Sequence, residues 1–148
     1  MSITIAHAQP SDMDALAVLF DACRQFHGQP SDPAAARDWL RNRLRFGESR
    51  VLLARRNGEA AGFAQLYPAF SSVRLARTWT INDLFVLPTT RRQGIARSLL
   101  DAAAAFARED GAAGLQLEIA RDNAAARATC RNAGWREDAT QWYSLSLG

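Results

Sequence analysis

The stretch from residue 83 to residue 97, DLFVLPTTRRQGIAR, has the residue types and spacing that best fit the binding of an anion. An apolar, strand-like run ends at Pro88, and a helical pattern begins at Ile95. The first four amide protons of a helix have no partner within the helix, and the helix dipole adds positive charge there. Gly94 and Ala96 leave those amides accessible, because neither carries a bulky side chain. The pattern predicts a phosphate site at this helix start.

Three arginines, Arg91, Arg92 and Arg97, lie at the same helix start. Positive side chains there oppose the helix dipole, so the cluster is locally unfavourable unless an anion is bound. An ordinary strand, turn and helix with basic surface residues is the alternative interpretation. The turn is not a P-loop, which needs a lysine, because the chain has 18 arginines and no lysine. It is not a Rossmann turn either, since its glycine is far from the first strand.

Two acidic residues, Asp83 and Glu118, fall in runs that otherwise read as apolar strands. An unpaired carboxylate buried in such a strand costs several kcal/mol, so each must have a function or a partner. A proton acceptor in a cleft and a structural ion pair with a nearby arginine explain either residue equally well.

Composition limits the classes of protein that need to be considered. A chain of 148 residues with 48% hydrophobic and 22% charged residues predicts one globular domain spanning 1–148. Two cysteines and two histidines lie far apart, so we expect no metal site and no disulfide scaffold. The absence of lysine also excludes a pyridoxal Schiff base.

The charge and hydropathy of the chain indicate which partners it binds and where in the cell it resides. The net charge of +3 comes from arginines scattered among 15 acidic residues, so we expect no nucleic-acid partner. No apolar run approaches the ~20 residues of a membrane span, so we expect no membrane partner. The first 25 residues contain several aspartates and do not resemble a signal peptide, which predicts a cytoplasmic location.

Hydrophobic periodicity predicts the elements in the order βααβββαβαβ. A strand at 2–8 precedes two helices, the second opened by Asp32 and Pro33. Asn57-Gly58 predicts a tight hairpin between strands at 51–55 and 61–67. A strand at 78–87, a helix from Ile95 to Gly111, a strand at 115–120 and a helix at 123–133 follow. Trp135 and residues 141–147 supply one or two closing strands.

Two motifs then resemble those of a known family. Arg91-x-x-Gly94-x-Ala96 resembles the acyl-CoA-binding motif of the GCN5-related N-acetyltransferase (GNAT) superfamily. The stretch from Asn123 to Trp135, NAAARATCRNAGW, is similar to that superfamily's second motif. The resemblance implies an α/β (α+β) fold whose mixed, mostly antiparallel sheet of about six to seven strands is flanked by about four helices. The run 81–86 looks most like the diamine acetyltransferase-like branch, although that branch often has a glutamate where this chain has Asn82.

The resemblance also implies which residues bind acetyl-CoA, the co-substrate. Main-chain groups of Phe85, Val86 and Leu87 would pair with the pantetheine arm as an added strand. Asn123 would hydrogen-bond near the thioester, and it is also a plausible helix N-cap. The pyrophosphate would be held by the turn and helix start, namely Arg91, Arg92, Gln93, Gly94, Ile95, Ala96 and Arg97.

The implied reaction is direct transfer of acetyl from acetyl-CoA to a primary amine of a small molecule in a ternary complex. Amides of 84–86 would stabilise the oxyanion, and Asp83 or Glu118 would accept the ammonium proton. Asn82, which lies beside Asp83, is also expected among the catalytic residues. Loop residues Arg74 and Arg77 suit an acceptor that carries a carboxylate, and a solvated loop explains them equally well.

The chain departs from the family pattern at Cys130, where the family usually has a tyrosine acid. The thiol could protonate the CoA thiolate. Alternatively, it could only fill space in the core while water or Tyr143 supplies the proton. A third alternative is that it forms an acetyl-cysteine intermediate. An alternative function is an acyl-CoA-binding sensor whose catalysis is weak or lost because of Cys130. The resemblance also implies a homodimer with the C-terminal strands near the interface.

Overall fold

The structure is a computed structural model that describes residues 2–148. Its strands are β1 (Ile3–His7), β2 (Arg50–Arg56), β3 (Glu59–Ser71), β4 (Ala76–Val86) and β5 (Gly114–Leu117). Its helices are α1 (Met13–Phe26), α2 (Pro33–Arg45), α3 (Ile95–Glu109) and α4 (Ala124–Asn132), and short 3₁₀ turns span Pro10–Asp12 and Pro88–Thr90. The α/β class and the four predicted helices are confirmed.

Local sequence explains where several elements begin and turn. The Asp32 side chain accepts a hydrogen bond from the Ala35 amide at 3.1 Å, which caps α2 as the sequence predicts. Between β2 and β3, Asn57 (φ 51°) and Gly58 (φ 86°) both adopt the left-handed conformation that a two-residue type I′ hairpin requires.

The five strands form one sheet in the order β1-β2-β3-β4-β5. Every neighbouring pair is antiparallel except β4 and β5, which run parallel. The sheet is therefore mixed and mostly antiparallel, as predicted. Helix α3 covers one face, where Ile81 and Leu100 are buried, and α1 with α2 covers the other, where Phe63 and Leu40 are buried.

The prediction of six to seven strands is wrong, because residues 2–148 form five. Neither Trp135 nor residues 141–147 form a strand. Alternation of apolar and polar residues shows which face a strand could bury, but a strand also needs a partner for its backbone hydrogen bonds. Residues 136–148 find no such partner among the described backbone hydrogen bonds. Within residues 2–148, no helix has both the length and the apolar character to cross a membrane.

Candidate active site

The site is organised by a β-bulge in β4 at Asn82. In the pairing with β3, Gln65 lies opposite Asp83 and the next residue, Leu66, lies opposite Ile81, which leaves Asn82 as the extra residue. Before the bulge, Ile81 packs in the core beneath α3. After it, Phe85 packs in the core beneath α1 and α2. Because successive strand residues point to opposite faces, the extra residue turns Asp83 towards the α1 and α2 side.

Beyond the bulge, one edge of β4 has no neighbouring strand. Strand β5 pairs with β4 only from Thr78 to Ile81, so residues 82–86 lie beside an opening between the two strands. The Leu87 amide donates to the Ala61 carbonyl in β3 at 2.8 Å. Along a strand, the main-chain N–H and C=O groups of successive residues point alternately to one side and the other. Those of Phe85 and Leu87 therefore point towards β3. Those of Leu84 and Val86 point towards the opening.

A cavity of about 700 Å³ lies between α1, α2 and this part of β4. Its walls include Phe20, Cys23, Arg24, His27, Trp39, Tyr67, Asn82 and Asp83. The Trp39 indole N–H donates to the Tyr67 hydroxyl at 3.2 Å, which joins α2 to β3 along one wall. The cavity thus presents aromatic surface and a single carboxylate, that of Asp83, beside the open edge of β4.

The Asp83 carboxylate is held from below by Gln65. The Gln65 side-chain amide donates to Asp83 Oδ2 at 2.8 Å, and that of Asn82 lies 3.5 Å from the same oxygen. Gln65 is fully buried, and its Oε1 has no partner among the described residues. A buried amide oxygen without a hydrogen-bond donor lowers the stability of the fold. The position of Gln65 under Asp83 therefore indicates that Gln65 orients the Asp83 carboxylate. No donor from the described residues contacts Asp83 Oδ1, and that oxygen can serve a ligand.

On α1, Cys23 lines the cavity, and Asp21 fixes the loop that follows the helix. Burial, with a smaller contribution from the Asp83 charge, raises the pKa of the Cys23 thiol to about 12. Cys23 therefore stays a neutral thiol and cannot act as a nucleophile near neutral pH. Asp21 accepts hydrogen bonds from the Ser31 hydroxyl at 2.7 Å and the Asp32 amide at 2.8 Å, and these bonds lower the pKa of its carboxyl. They fix the loop between α1 and α2 at the rim.

The turn from Arg91 to Arg97 presents unpaired backbone donors. Arg92 (φ 63°) and Gly94 (φ 81°) adopt left-handed conformations, and the first helical hydrogen bond of α3 runs from the Ser98 amide to the Gly94 carbonyl at 3.0 Å. Among the described hydrogen bonds, no backbone amide from 91 to 97 donates to any acceptor. Successive amides around left-handed residues form a concave anion site, and a Cβ added to Gly94 would point into open space.

The three predicted arginines take different positions. Arg91 folds back, with its Nε donating to the Val86 carbonyl at 3.0 Å and its guanidinium 5.4 Å from the Phe26 ring centre. Arg97 contacts the Asp101 carboxylate and, at 3.1 Å, the Asn132 carbonyl, which ties α3 to α4. Arg92 is exposed and has no hydrogen-bond partner in residues 2–148.

The remaining predicted residues lie on or beside β5 and α4. The Asn123 side chain accepts from the Ala126 amide at 3.1 Å and caps α4, as predicted. Cys130 is buried in the core beneath α3, and burial raises the pKa of its thiol. Glu118 follows the last residue of β5, is exposed and does not line the cavity. Tyr143 is exposed within residues 136–148.

Sequence reasoning missed Gln65, Trp39 and Tyr67. A signal existed for Gln65, because it is the one polar residue in the run AAGFAQL. In the sequence, Trp39 has only the spacing of an apolar position in the second helix. No group of three histidine, cysteine or acidic residues within 2–148 is arranged to hold a metal ion.

Comparison with known proteins places this geometry in a family. Residues 13–135 match the family described as "Acetyltransferase (GNAT) family". The "Uncharacterized N-acetyltransferase YhfO" of Bacillus subtilis (strain 168) is 43% identical over 136 residues, which cover 92% of this chain and 91% of that protein. A structure titled "Crystal structure of a probable acetyltransferase" is 38% identical, covers 98% of both chains and has a TM-score of 0.92. AAC(6')-Iy, solved with a CoA bisubstrate analogue, shares the fold at 19% identity, with a TM-score of 0.81 over 99% of this chain and 100% of that one.

Proposed function

Because this chain belongs to the GNAT acetyltransferase family, we propose that it transfers the acetyl group of acetyl-CoA to a primary amine of a small molecule. The family resemblance of the two sequence motifs is confirmed, and the chain is an acetyltransferase by homology. The diamine branch stays a prediction.

The geometry supports acetyl-CoA as the donor. The free amides from 91 to 97 suit a pyrophosphate, since they are concave, positively polarised and backed by the exposed side chain of Arg92. The open edge of β4 presents the Val86 amide to a pantetheine arm, which carries two amides of its own, and the Leu84 amide to the thioester end of the same molecule. A molecule bound along this path would bring its thioester to the opening beside Asp83.

The cavity supports a small acceptor with one ammonium group. Asp83 is the sole carboxylate among the lining residues, while Arg24 and His27 lie at the same cavity. A polycation needs several carboxylates, whereas one carboxylate and an arginine suit an amine that also carries an anionic or neutral polar group. Arg74 and Arg77 do not serve this purpose, because they contact the Ala113 carbonyl and the Asp110 carboxylate outside the cavity.

In the proposed reaction, each step uses a group at the opening. Oδ1 of Asp83 accepts a proton from the bound ammonium, which frees the nitrogen lone pair to attack the thioester carbon. The Leu84 amide, next to Asp83, stabilises the tetrahedral oxyanion. The C–S bond then breaks, the nitrogen of the new amide gives up its remaining extra proton to solvent, and the thiolate takes up a proton from solvent. The observation that best supports this proposal is the bulge at Asn82, because it brings the Asp83 carboxylate into the cavity next to the open edge of β4.

Turnover tests this proposal. Acetyl-CoA is incubated with the protein and a panel of primary amines, CoA thiol release is followed, and the acetylated product is identified by mass spectrometry. We expect turnover with small amines that bear one ammonium group. Tight binding of CoA with no turnover of any amine would favour the acyl-CoA sensor instead.

Cys130→Ala tests whether the thiol is the acid. Since Cys130 is buried in the core and its thiol pKa is raised, we expect kcat within about twofold of wild type and a stability loss of about 1 kcal/mol from the lost packing. Steady-state kinetics and thermal unfolding measure the two effects. A tenfold or larger fall in kcat in a Cys130→Ala variant that keeps the wild-type fold would assign the proton transfer to this side chain.

We also propose that the chain is one domain over 1–148, acts as a homodimer and resides in the cytoplasm. Both cysteines, Cys23 and Cys130, are free and buried, which fits a reducing compartment.

A further inference from the structure

The cavity beside β4 has groups of opposite charge on its two sides. On the sheet side, the buried Gln65 side chain holds the Asp83 carboxylate. On the side of α1, Arg24, His27 and Gln29 line the cavity, and all three side chains can donate hydrogen bonds. Most of the other lining residues are apolar or aromatic, namely Phe20, Cys23, Ala35, Ala36, Trp39 and Tyr67. A ligand that fills this cavity therefore meets one acid on the sheet side and several donors on the α1 side.

Arg24 is the only arginine among the lining residues, and most of its donors are free. Its side chain is partly buried, and it forms no ion pair with a carboxylate of residues 2–148. Its one hydrogen bond within those residues is long, running from Nη1 to the Pro30 carbonyl at 3.5 Å. Asp21, one turn earlier on α1, forms no ion pair with it, and the carboxylate of Asp21 accepts from three other groups. A guanidinium carries several N–H donors, so the Arg24 side chain can bind a ligand.

A carboxylate is the ligand group that best matches the Arg24 side chain. The planar guanidinium binds a carboxylate through two parallel N–H···O hydrogen bonds. A neutral polar group forms weaker hydrogen bonds there, and a second ammonium group is repelled by the like charge. A phosphate group carries up to about two negative charges near neutral pH, whereas a single arginine lines the cavity.

We propose that Arg24 binds the carboxylate of an acceptor whose ammonium group binds Asp83, so that the acceptor is an amino acid or another small aminocarboxylate. This assignment depends on the proposed acetyl transfer and adds to it the class of the acceptor and the residue that selects it. An amine without a carboxylate leaves the partly buried Arg24 guanidinium without a partner, which lowers the affinity for that amine. Arg24 takes up and gives up no proton, so its contribution is to acceptor binding.

Kinetics with paired acceptors test the assignment. Each member of a panel of α- and ω-amino acids is compared with its carboxamide, which keeps the ammonium group and lacks the carboxylate. The two forms differ in the basicity of the amine, so each variant is compared with wild type on the same compound. We expect Arg24→Gln to raise KM for the amino acid about 10- to 100-fold more than KM for its carboxamide, while kcat changes far less.

Two further variants control for charge and for geometry. Arg45→Gln removes the same charge from an exposed residue of α2 that has no ion pair within residues 2–148 and lies outside the cavity. It should leave both KM values within about twofold of wild type. Arg24→Lys keeps the charge but not the planar donor pair, so its KM for the amino acid should lie between those of wild type and Arg24→Gln.

Binding without turnover separates a failure of this assignment from a failure of acetyl transfer. Calorimetric titration of the CoA-saturated protein with the same amino acids should show saturable binding that Arg24→Gln weakens at least about tenfold and Arg45→Gln does not. This pattern with no acetylation of any amine would support the Arg24 site and contradict acetyl transfer. Acetylation of amines with equal effects of Arg24→Gln on amino acids and carboxamides would overturn the assignment and leave acetyl transfer intact. Wild type that binds none of the amino acids, or a loss of CoA affinity in Arg24→Gln, would also overturn it.

Discussion

Gly94→Glu should weaken CoA binding by at least about 100-fold, equivalent to about 2.7 kcal/mol. The open space next to Gly94 is where an anion would contact the free amides of the turn, so a carboxylate there competes with and repels the pyrophosphate. Isothermal titration calorimetry of wild type and variant with CoA measures the loss.

Gly94→Ala is the matched control for Gly94→Glu. Gly94 has a φ of 81°, so both substitutions pay a similar conformational cost of about 1–2 kcal/mol in stability. Only the glutamate adds negative charge, and the alanine variant should retain most of its CoA affinity. Equal affinities for Gly94→Glu and wild type would place the pyrophosphate elsewhere.

Asp83→Asn should lower kcat by about 10²–10⁴-fold while leaving CoA affinity within about twofold of wild type. The amide keeps the size of the carboxylate and can still accept from Gln65, but it cannot take up a proton. Without a base, only acceptor molecules already present as the free amine react. The rate of the variant should therefore rise tenfold per pH unit below the pKa of the amine.

The control is Asp38→Asn, at an exposed residue of α2 that pairs with Arg41. This substitution should change neither kcat nor the affinity for CoA. Gln65→Leu tests positioning, since it removes the donor to Asp83 but keeps the carboxylate. We expect it to reduce kcat less than Asp83→Asn does, and its rate should not show the tenfold rise per pH unit expected for Asp83→Asn. Full activity of Asp83→Asn with the wild-type profile would exclude Asp83 as the proton acceptor.

The elements that local chemistry determines could be predicted from the sequence. Asp32 and Asn123 cap their helices through their own side chains, and Asn57-Gly58 adopts the turn that joins β2 to β3. The unpaired amides of the turn at 91–97 could be predicted for the same reason, because the first amides of a helix have no acceptor within the helix.

Features that depend on pairing between distant segments could not be predicted. The bulge at Asn82 exists only in the register between β3 and β4, so the sequence showed a polar interruption but not the face on which Asp83 lies. Arg91 and Arg97 have partners in β4, α3 and α4 that no local pattern indicates. The closing strands were predicted from alternation alone, but residues 141–147 have no neighbouring strand in the described chain.

We propose that the free amides after residue 90 hold the diphosphate of CoA while the open edge of β4 holds its pantetheine arm. A titration of ¹⁵N-labelled protein with CoA, followed by two-dimensional amide NMR, tests it most directly. We predict that the largest shifts occur at the amides of 92–97, Leu84 and Val86, and that all saturate with one dissociation constant. Saturable CoA binding that leaves these amides unshifted, or a folded protein that shows no shifts at all, would contradict the claim.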